Sequence, residues 1–443
     1  MGRPARGLLQ VARGVTFRSS RLGTLGLLAC ALPACRERSL PPASVESSST
    51  RTDASSSEGA GGSAAAWQPF TLAPHAIDDF PAGFAPGSTA RFDVACRIND
   101  GALVRVAERL AAGAVRAPVA IDSERLNFML RAEGSPYLWA RAWWLEGREL
   151  TAQDIGERLK RWLGSFDDAG ERRCGIARRR AADGREVIAV VAVDAAADLR
   201  PTPTRVRPGQ WVNIQSSLLV PASDAKVVVV GPDAVPHGVP TSFAGGEVRA
   251  RFNADRPGTW RAQLLATTAA GPRPLLEVVT HAGVDPPGAP ERGPVPGDAA
   301  LAAGLEASDA LASMLNRARA SMGLDRLWQS AALDRLAREH AEAMREARRL
   351  AHDTGRGDAT IRARVALADV VVGGENIAHA ATLRDAHRTL WESPSHRSNM
   401  LNGRFGAVGI GVARDEDGSL WVCELFAIQT RREPAVGHEL ETY

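Results

Sequence analysis

Two histidines and a glutamate in the last third of the chain are the residues whose types and spacing could do chemistry together. His352 stands 23 residues before Glu375, and His396 follows 21 residues after it. Two imidazoles and a carboxylate brought to one cavity could hold a divalent metal, zinc first among them, or share a proton-transfer task. With a metal in place, Glu375 could act as general base on a bound water and the histidines as ligands, which is the arrangement of a hydrolase. Without one, the three side chains would form a polar patch that orients a ligand. His352, Glu375 and His396 are therefore the catalytic and the metal-ligand candidates alike. No Ser-His-Asp order, no H-E-x-x-H and no P-loop occurs anywhere in the chain.

The elements that must position these residues are legible from periodicity. Leu311, Met314, Leu315 and Ala318 fall at helical spacing, with Ser308 as a candidate cap and Gly323 as a stop. A second helix is expected from about Ser330, with Leu333, Leu336, Ala337, His340 and Met344 on one face. That spacing puts His340 in the core or at its rim. A third helix should span about Leu383–Trp391, and Ser393-Pro394 restarts a short one, serine as cap and proline in the first turn. His396 then sits in that first turn, where unpaired backbone N–H groups could steady an anionic ligand. Val408–Arg414 and Leu420–Ala427 read as strands joined at Asp417-Gly418. Period-two alternation puts Trp421, Cys423 and Leu425 on one face, so Cys423 reads as a small buried hydrophobe, not a nucleophile. Arg397 is expected to pair with a carboxylate or a carbonyl and support its loop, while His379 and His387 have no special spacing.

Five blocks arrive in order: LAHDTG from Leu350, GGENIA from Gly373, SPSHRSNML from Ser393, VGIGVA from Val408 and WVCELFA from Trp421. This stretch, roughly residues 300–430, resembles the bacterial branch of the CAP superfamily, the SCP-like domain of cysteine-rich secretory, antigen 5 and pathogenesis-related proteins. The resemblance implies an α-β-α sandwich with a central cleft lined by two histidines, His352 and His396, and the glutamate of GEN, Glu375. Many members carry a second glutamate five residues after the first histidine; here Gly357 holds that position, with Asp358 next to it. Roles proposed across the family include binding of sterols, lipids, glycans or divalent metals, and proteolysis, so the resemblance implies a fold more strongly than a reaction.

The remainder of the chain reads as delivery and support. Arginines precede an apolar run from Leu22 to Ala34, too short for a comfortable membrane span. The run ends in Leu32-Pro33-Ala34-Cys35, which resembles the lipobox of bacterial lipoproteins, so residues 1–35 are expected to be a signal peptide ending at a lipidated Cys35. An ordinary signal peptide cut nearby is the alternative. Arg36 after that cysteine points, by the same resemblance, to the outer membrane. Residues 36–66, rich in Ser, Ala and Gly, cannot build a core and read as a flexible tether.

Residues 67–198 read as an α/β domain and a candidate worn copy of the C-terminal fold. Gly175-Ile176 through Asp183-Gly184 to Val191-Ala192 lines up without a gap against Gly409-Ile410 through Asp417-Gly418 to Leu425-Phe426. It has no GEN, no SPSHR and no histidine at those places. If Cys35 is lipidated and Cys423 buried, Cys96 and Cys174 are the natural disulfide pair of an exported protein, worth roughly 4–5 kcal/mol in the chain-entropy model. Short strands between Pro/Gly turns suggest an immunoglobulin-like β-sandwich over 200–282, followed by a Pro/Gly linker at 283–299, the domain at 300–430 and a tail at 431–443.

The 443 residues carry 54 basic and 51 acidic side chains, a formal net charge of +3, and only two lysines, Lys160 and Lys226. Such balance gives no driving force for nucleic-acid binding. The sequence thus describes an α+β multidomain protein of the cell envelope, held at a membrane through Cys35, whose cleft takes a lipid, a glycan or a peptide. The alternatives are a metal-dependent hydrolase or peptidase and a structural envelope protein with no activity.

Overall fold

The computed structural model describes residues 36–39, 71–72 and 98–428, apart from 117–122, 167–169, 270, 291–292, 301–303 and 368–369. The signal peptide with Cys35, most of the expected tether, Cys96 and the tail at 431–443 lie outside the described residues. The first four residues of the expected tether, Arg36–Ser39, are instead a strand (β1), and Thr71–Leu72 are another (β2). The fold is mixed α+β with several sheets.

The N-terminal part runs β3 (Ile98–Asn99), α1 (Gly101–Arg116), α2 (Ser123–Ala132), β4 (Arg141–Gly147), α3 (Ala152–Leu163), β5 (Glu171–Arg180) and β6 (Glu186–Ala195). Asp100 starts α1 by accepting from the Ala102 and Leu103 N–H groups, and Thr151 caps α3 through Asp154 N. The sheet order is β1-β4-β6-β5-β3. Cys174 in β5 is disulfide-bonded.

Two mainly antiparallel sheets follow. One orders β13-β14-β10-β7, from β7 (Ala197–Leu199), β10 (Gln210–Leu218), β13 (Thr241–Ala244) and β14 (Glu247–Ala254). The other orders β12-β11-β15-β16-β9, from β9 (Arg205–Val206), β11 (Asp224–Val230), β12 (Pro236–Val239), β15 (Gly258–Thr268) and β16 (Gly271–Ala282); β8 (Thr202–Pro203) pairs with β2. Val212 and Phe252 of the first sheet share one core with Val227, Val229 and Leu264 of the second, and that core continues into α1 and α2 through Leu103 and Leu130. The β-rich and N-terminal parts are therefore packed on each other.

The C-terminal part contains α4 (Ala307–Ser321), β17 (Trp328–Gln329), α5 (Ala331–Ala347), α6 (Ala359–Ala366), β18 (Val371–Ala380), α7 (Leu383–Glu392), α8 (Pro394–Met400), β19 (Ala407–Arg414) and β20 (Leu420–Ile428). The expected helices and strands are present to within a residue or two. Ser308 is not the cap of the first of them: Glu306 holds that position and Ser308 lies inside α4. The helix α6 was not anticipated; Asp358 caps it by accepting from Ile361 N at 2.9 Å.

The sheet β17-β19-β20-β18 buries apolar residues on both faces, and period-two alternation sorts them between two cores. Val408, Ile410, Val422 and Phe426 pack with α4 and α7, while Trp421, Cys423 and Leu425 pack with α5 and α6. Gly409 and Gly411 explain the VGIG block. A Cβ on either would stand 2.2 or 2.1 Å from the Leu333 or Ala337 carbonyl carbon, so only glycine lets α5 lie this close to β19.

The N-terminal part has the same strand pairing. In both, a two-residue strand runs parallel to the first strand of a hairpin, the second strand pairs with a fourth, and two helices lie between the short strand and the fourth. Gly175 pairs with Val191 as Gly409 pairs with Leu425. A Cβ on Gly175 would meet the Leu103 carbonyl carbon at 2.0 Å, as one on Gly409 would meet that of Leu333. Register then carries the comparison inward. Val191 also pairs with Ala142, where Leu425 pairs with Glu375. Leu110 follows Leu103 by the interval at which His340 follows Leu333. Ala142 and Leu110 are buried apolar residues, so the N-terminal part has a closed core where the C-terminal part has ionisable groups.

Candidate functional site

Glu375 is the centre of the polar cluster. It lies on β18, turned to the face covered by α5 and α6, with a side chain 4% exposed. His352, in the loop after α5, is bonded through Nδ1 to Glu375 Oε2 at 2.7 Å. Arg362 of α6 donates to the other carboxylate oxygen, Oε1, and its second nitrogen donates to the carbonyls of His352 and Gly357, each at 2.7 Å. His340 Nε2 lies 3.8 Å from the same Oε1 and 3.0 Å from the Ala351 carbonyl. Cys423 Sγ donates to Oε1 at 3.4 Å. Burial pushes the Glu375 pKa up, but the His352 hydrogen bond and the His352, Arg362 and His340 charges outweigh it and hold the carboxyl below its ordinary value. Glu375 is thus an ionised acceptor, and His352 Nδ1 must carry the proton between them. The His352 ring lines the cavity.

His396 approaches from α8. Its ring is 7% exposed, and Nδ1 is buried with no hydrogen-bond partner. Burial, and next the charge of His352, push its pKa down to about 3, so the imidazole is neutral. His352, Glu375 and His396 line one cavity of about 210 Å³. The remaining motif residues hold this geometry in place. Asn376 donates to the His396 carbonyl at 3.2 Å and to Glu424 Oε2 at 3.0 Å, and accepts from Asn399 Nδ2 at 2.9 Å. Asn399 also donates to the Glu375 carbonyl at 3.2 Å. The asparagines of GEN and SPSHRSN are therefore a clamp between β18 and α8.

One backbone N–H at the start of α8, that of Ser395, is already engaged by a protein side chain. Gln263 Oε1, from β15, accepts from Ser395 N and from Ser393 Oγ, both at 3.1 Å. A side chain from the β-rich part thus ties down the start of α8. That part also roofs the cavity: Lys226, Val228, Leu265, Pro272 and Pro274 form its far wall. Gly271, with φ +94°, lies so close to His352 that a Cβ on it would stand 3.1 Å from the His352 Cβ.

The other singled-out residues have structural partners. Arg397 donates to the Trp391 carbonyl, reaches the Ala234 carbonyl at 3.4 Å and lies over the Trp391 ring. His379 stacks on Trp421, and His387 Nε2 meets the Pro296 carbonyl at 2.8 Å. Cys423 is buried and reduced, and burial raises its thiol pKa well above the ordinary value. Arg362 is the residue that sequence reasoning missed. The Asp358-x-x-Ile361 cap announces its helix, but nothing local says that an arginine four residues past that cap reaches Glu375.

Among the described residues no group of three or more His, Cys, Asp or Glu side chains is placed so as to hold a metal ion. The Arg362 guanidinium also takes the carboxylate oxygen that a cation would need. No helix among the described residues is long and apolar enough to cross a membrane.

Residues 312–425 match the family model described as the cysteine-rich secretory protein family, CAP. No curated protein is significantly similar to the chain. Among solved structures, an outer surface protein of Borrelia burgdorferi is 21% identical over 27% of this chain and 90% of its own, with a TM-score of 0.26. An extracellular protein containing a SCP domain from Bacillus anthracis is 13% identical over 53% of this chain and 86% of its own, TM-score 0.25. A cysteine-rich secretory protein of Staphylococcus aureus is 12% identical over 53% and 84%, TM-score 0.23. Five sequence blocks, the sheet with its glycine-packed helix, the asparagine clamp and the family match coincide on one segment: residues 312–425 of this chain are a CAP domain.

Proposed function

We propose that the CAP domain binds a polar group of a cell-envelope ligand, a glycan or peptide before a lipid tail, in the cavity bounded by His352, Glu375 and His396. The observation that carries this reading is the pair of imidazoles. His396 is buried with an unpartnered ring nitrogen, and His352, held through Nδ1 by Glu375, lines the same cavity. A buried polar atom without a partner costs on the order of 1–3 kcal/mol, which a ligand that supplies the partner recovers. The cavity suits a headgroup, one sugar or one side chain, not a whole polymer. The Ionised Glu375 is an orienting group for His352, as the acid of a proton-relay pair is.

The chain is, on this proposal, exported and lipid-anchored at Cys35, with an α-β-α CAP domain, an immunoglobulin-like β-sandwich and, at 98–195, a second CAP-like unit without a site. The membrane expectation rests on the N-terminal signal. The shared topology and the Gly175–Gly409 register support the duplication.

Calorimetric titration of the protein with soluble peptidoglycan fragments, and with lipid vesicles in parallel, tests the reading. Binding of the fragments should weaken about tenfold or more in His396→Ala, with the circular-dichroism spectrum unchanged. Undiminished binding in that variant would sink the proposal. Zinc-dependent turnover that disappears in Glu375→Gln while binding persists would favour the hydrolase instead.

A further inference from the structure

A larger cavity lies on the opposite side of His396. It measures about 960 Å³ and is walled by the N-terminal part, the β-rich part and the CAP domain together. His396 and Pro274 line both cavities and form the partition between them. Its volume is at the upper end of the ~300–1,000 Å³ usual for ligand pockets, and junctions between domains are where such pockets concentrate.

The charges on its wall are not all neutralised. Arg131 is paired with Glu277, and Arg105 with Glu133. Arg261 of β15 and Glu392 at the end of α7 have no hydrogen bond or ion pair among the described residues, yet each feels the other's field. Both are half-buried. A guanidinium and a carboxylate left apart on one wall, neither fully solvated, are complementary to a ligand that carries both signs. Burial already raises the Glu392 pKa, the direction a bound ammonium would reverse.

The wall also carries aromatic rings among its polar residues. Trp139 is 48% exposed, although its indole N–H is tied to the Pro274 carbonyl at 3.3 Å. Its φ of +64° is a left-handed conformation that strains a bulky residue and that concentrates at ligand sites. Phe128 stands on the same wall, and Asn127 beside it offers an amide. A free amino acid would leave most of this volume empty.

We propose that this chamber is a second ligand site, for a short peptide with free termini: its carboxylate on Arg261, its ammonium on Glu392, and an apolar residue between them against Trp139 and Phe128. The site is distinct from the cleft cavity and does not depend on the ligand assigned to it.

The test is calorimetric titration of the full chain with the tripeptide Ala-Phe-Ala in four forms: free, N-acetylated, C-amidated and doubly blocked. The free form should bind saturably, and each block should weaken it by about 10- to 100-fold, the value of a lost charge-assisted hydrogen bond. Arg261→Met should abolish the sensitivity to amidation, and Glu392→Gln the sensitivity to acetylation. No saturable binding of the free tripeptide, or equal affinities for the free and doubly blocked forms, would overturn the proposal without recourse to any variant. Peptide affinities unchanged in both variants would overturn it too, since the peptide would then bind elsewhere.

Discussion

Gln263 accepts a hydrogen bond from the Ser395 backbone N–H at 3.1 Å, so a strand of the β-rich part caps the helix that carries His396. The amide's other end donates to Glu277 Oε2 at 3.1 Å, and Glu277 in turn receives Arg131 from the N-terminal part. One buried chain of hydrogen bonds thus joins all three parts at the wall of the cleft. The position of His396 depends on packing more than 100 residues away in sequence.

The first prediction concerns that chain. Gln263→Leu leaves the Ser395 N–H without its acceptor and Glu277 without one donor. The expected cost is about 1–3 kcal/mol, seen as a lower urea midpoint. A midpoint unchanged from the parent would show that the contact does not hold the parts together.

Arg362 and Glu375 are a buried ion pair with side chains 8% and 4% exposed. Arg362→Met should cost roughly 3–5 kcal/mol, because it strands the carboxylate. The double variant Arg362→Met, Glu375→Gln should be more stable than Arg362→Met alone. Additive losses in the double-mutant cycle would argue against the pairing.

Two glycines of the same hairpin should behave differently. Gly411→Ala drives a methyl into the Ala337 backbone and should cost about 3 kcal/mol. Gly418 has φ +86° but open space around it, so Gly418→Ala should cost only about 1 kcal/mol of backbone strain. Denaturant unfolding of the two variants checks the order. Equal losses would mean that α5 does not press on β19.

Two buried groups set opposite pH limits. Burial, partly offset by the Asn376 hydrogen bond, raises the Glu424 pKa from 4.5 to about 7. The folded state therefore holds that proton more tightly than the unfolded chain, so its contribution is complete below pH 4.5 and is lost as pH rises to about 7, on the order of 3 kcal/mol. His396 runs the other way, its pKa lowered from 6.5 to about 3. The folded state resists that proton, and stability falls as pH drops from 6.5 toward 3. Glu424→Gln should flatten the alkaline side of a stability–pH profile and leave the acid side; the reverse result would contradict the assignment.

The helices α5, α7 and α8 and the β19–β20 hairpin were legible because their signals are local. Leu333, Leu336, Ala337, His340 and Met344 repeat at helical spacing, Ser330 and Ser393 precede their helices, and Gly418 turns the hairpin. Helix α6 was missed because its eight residues, Ala359–Ala366, include Ile361 and Val365 on the exposed side and so show no apolar stripe. Ser308 misled because a serine near a helix start is only one candidate among neighbours, and here it is the second residue of the helix.

By itself the sequence determined which residues could meet in the cleft. His352, Glu375 and His396 stand in motif blocks, and each block's local structure follows from periodicity, caps and turns. Tertiary structure alone decided what each of them touches. Arg362 neutralises Glu375, Gln263 takes the Ser395 N–H, Gly271 lies against His352, and Arg261 and Glu392 are left unpaired on a chamber built by three parts of the chain. The reason is physical: helix and strand patterns repeat over a few residues and can be read along the chain. The partner of a buried charge or a buried N–H is set by which surfaces pack together, and no sequence period records that choice.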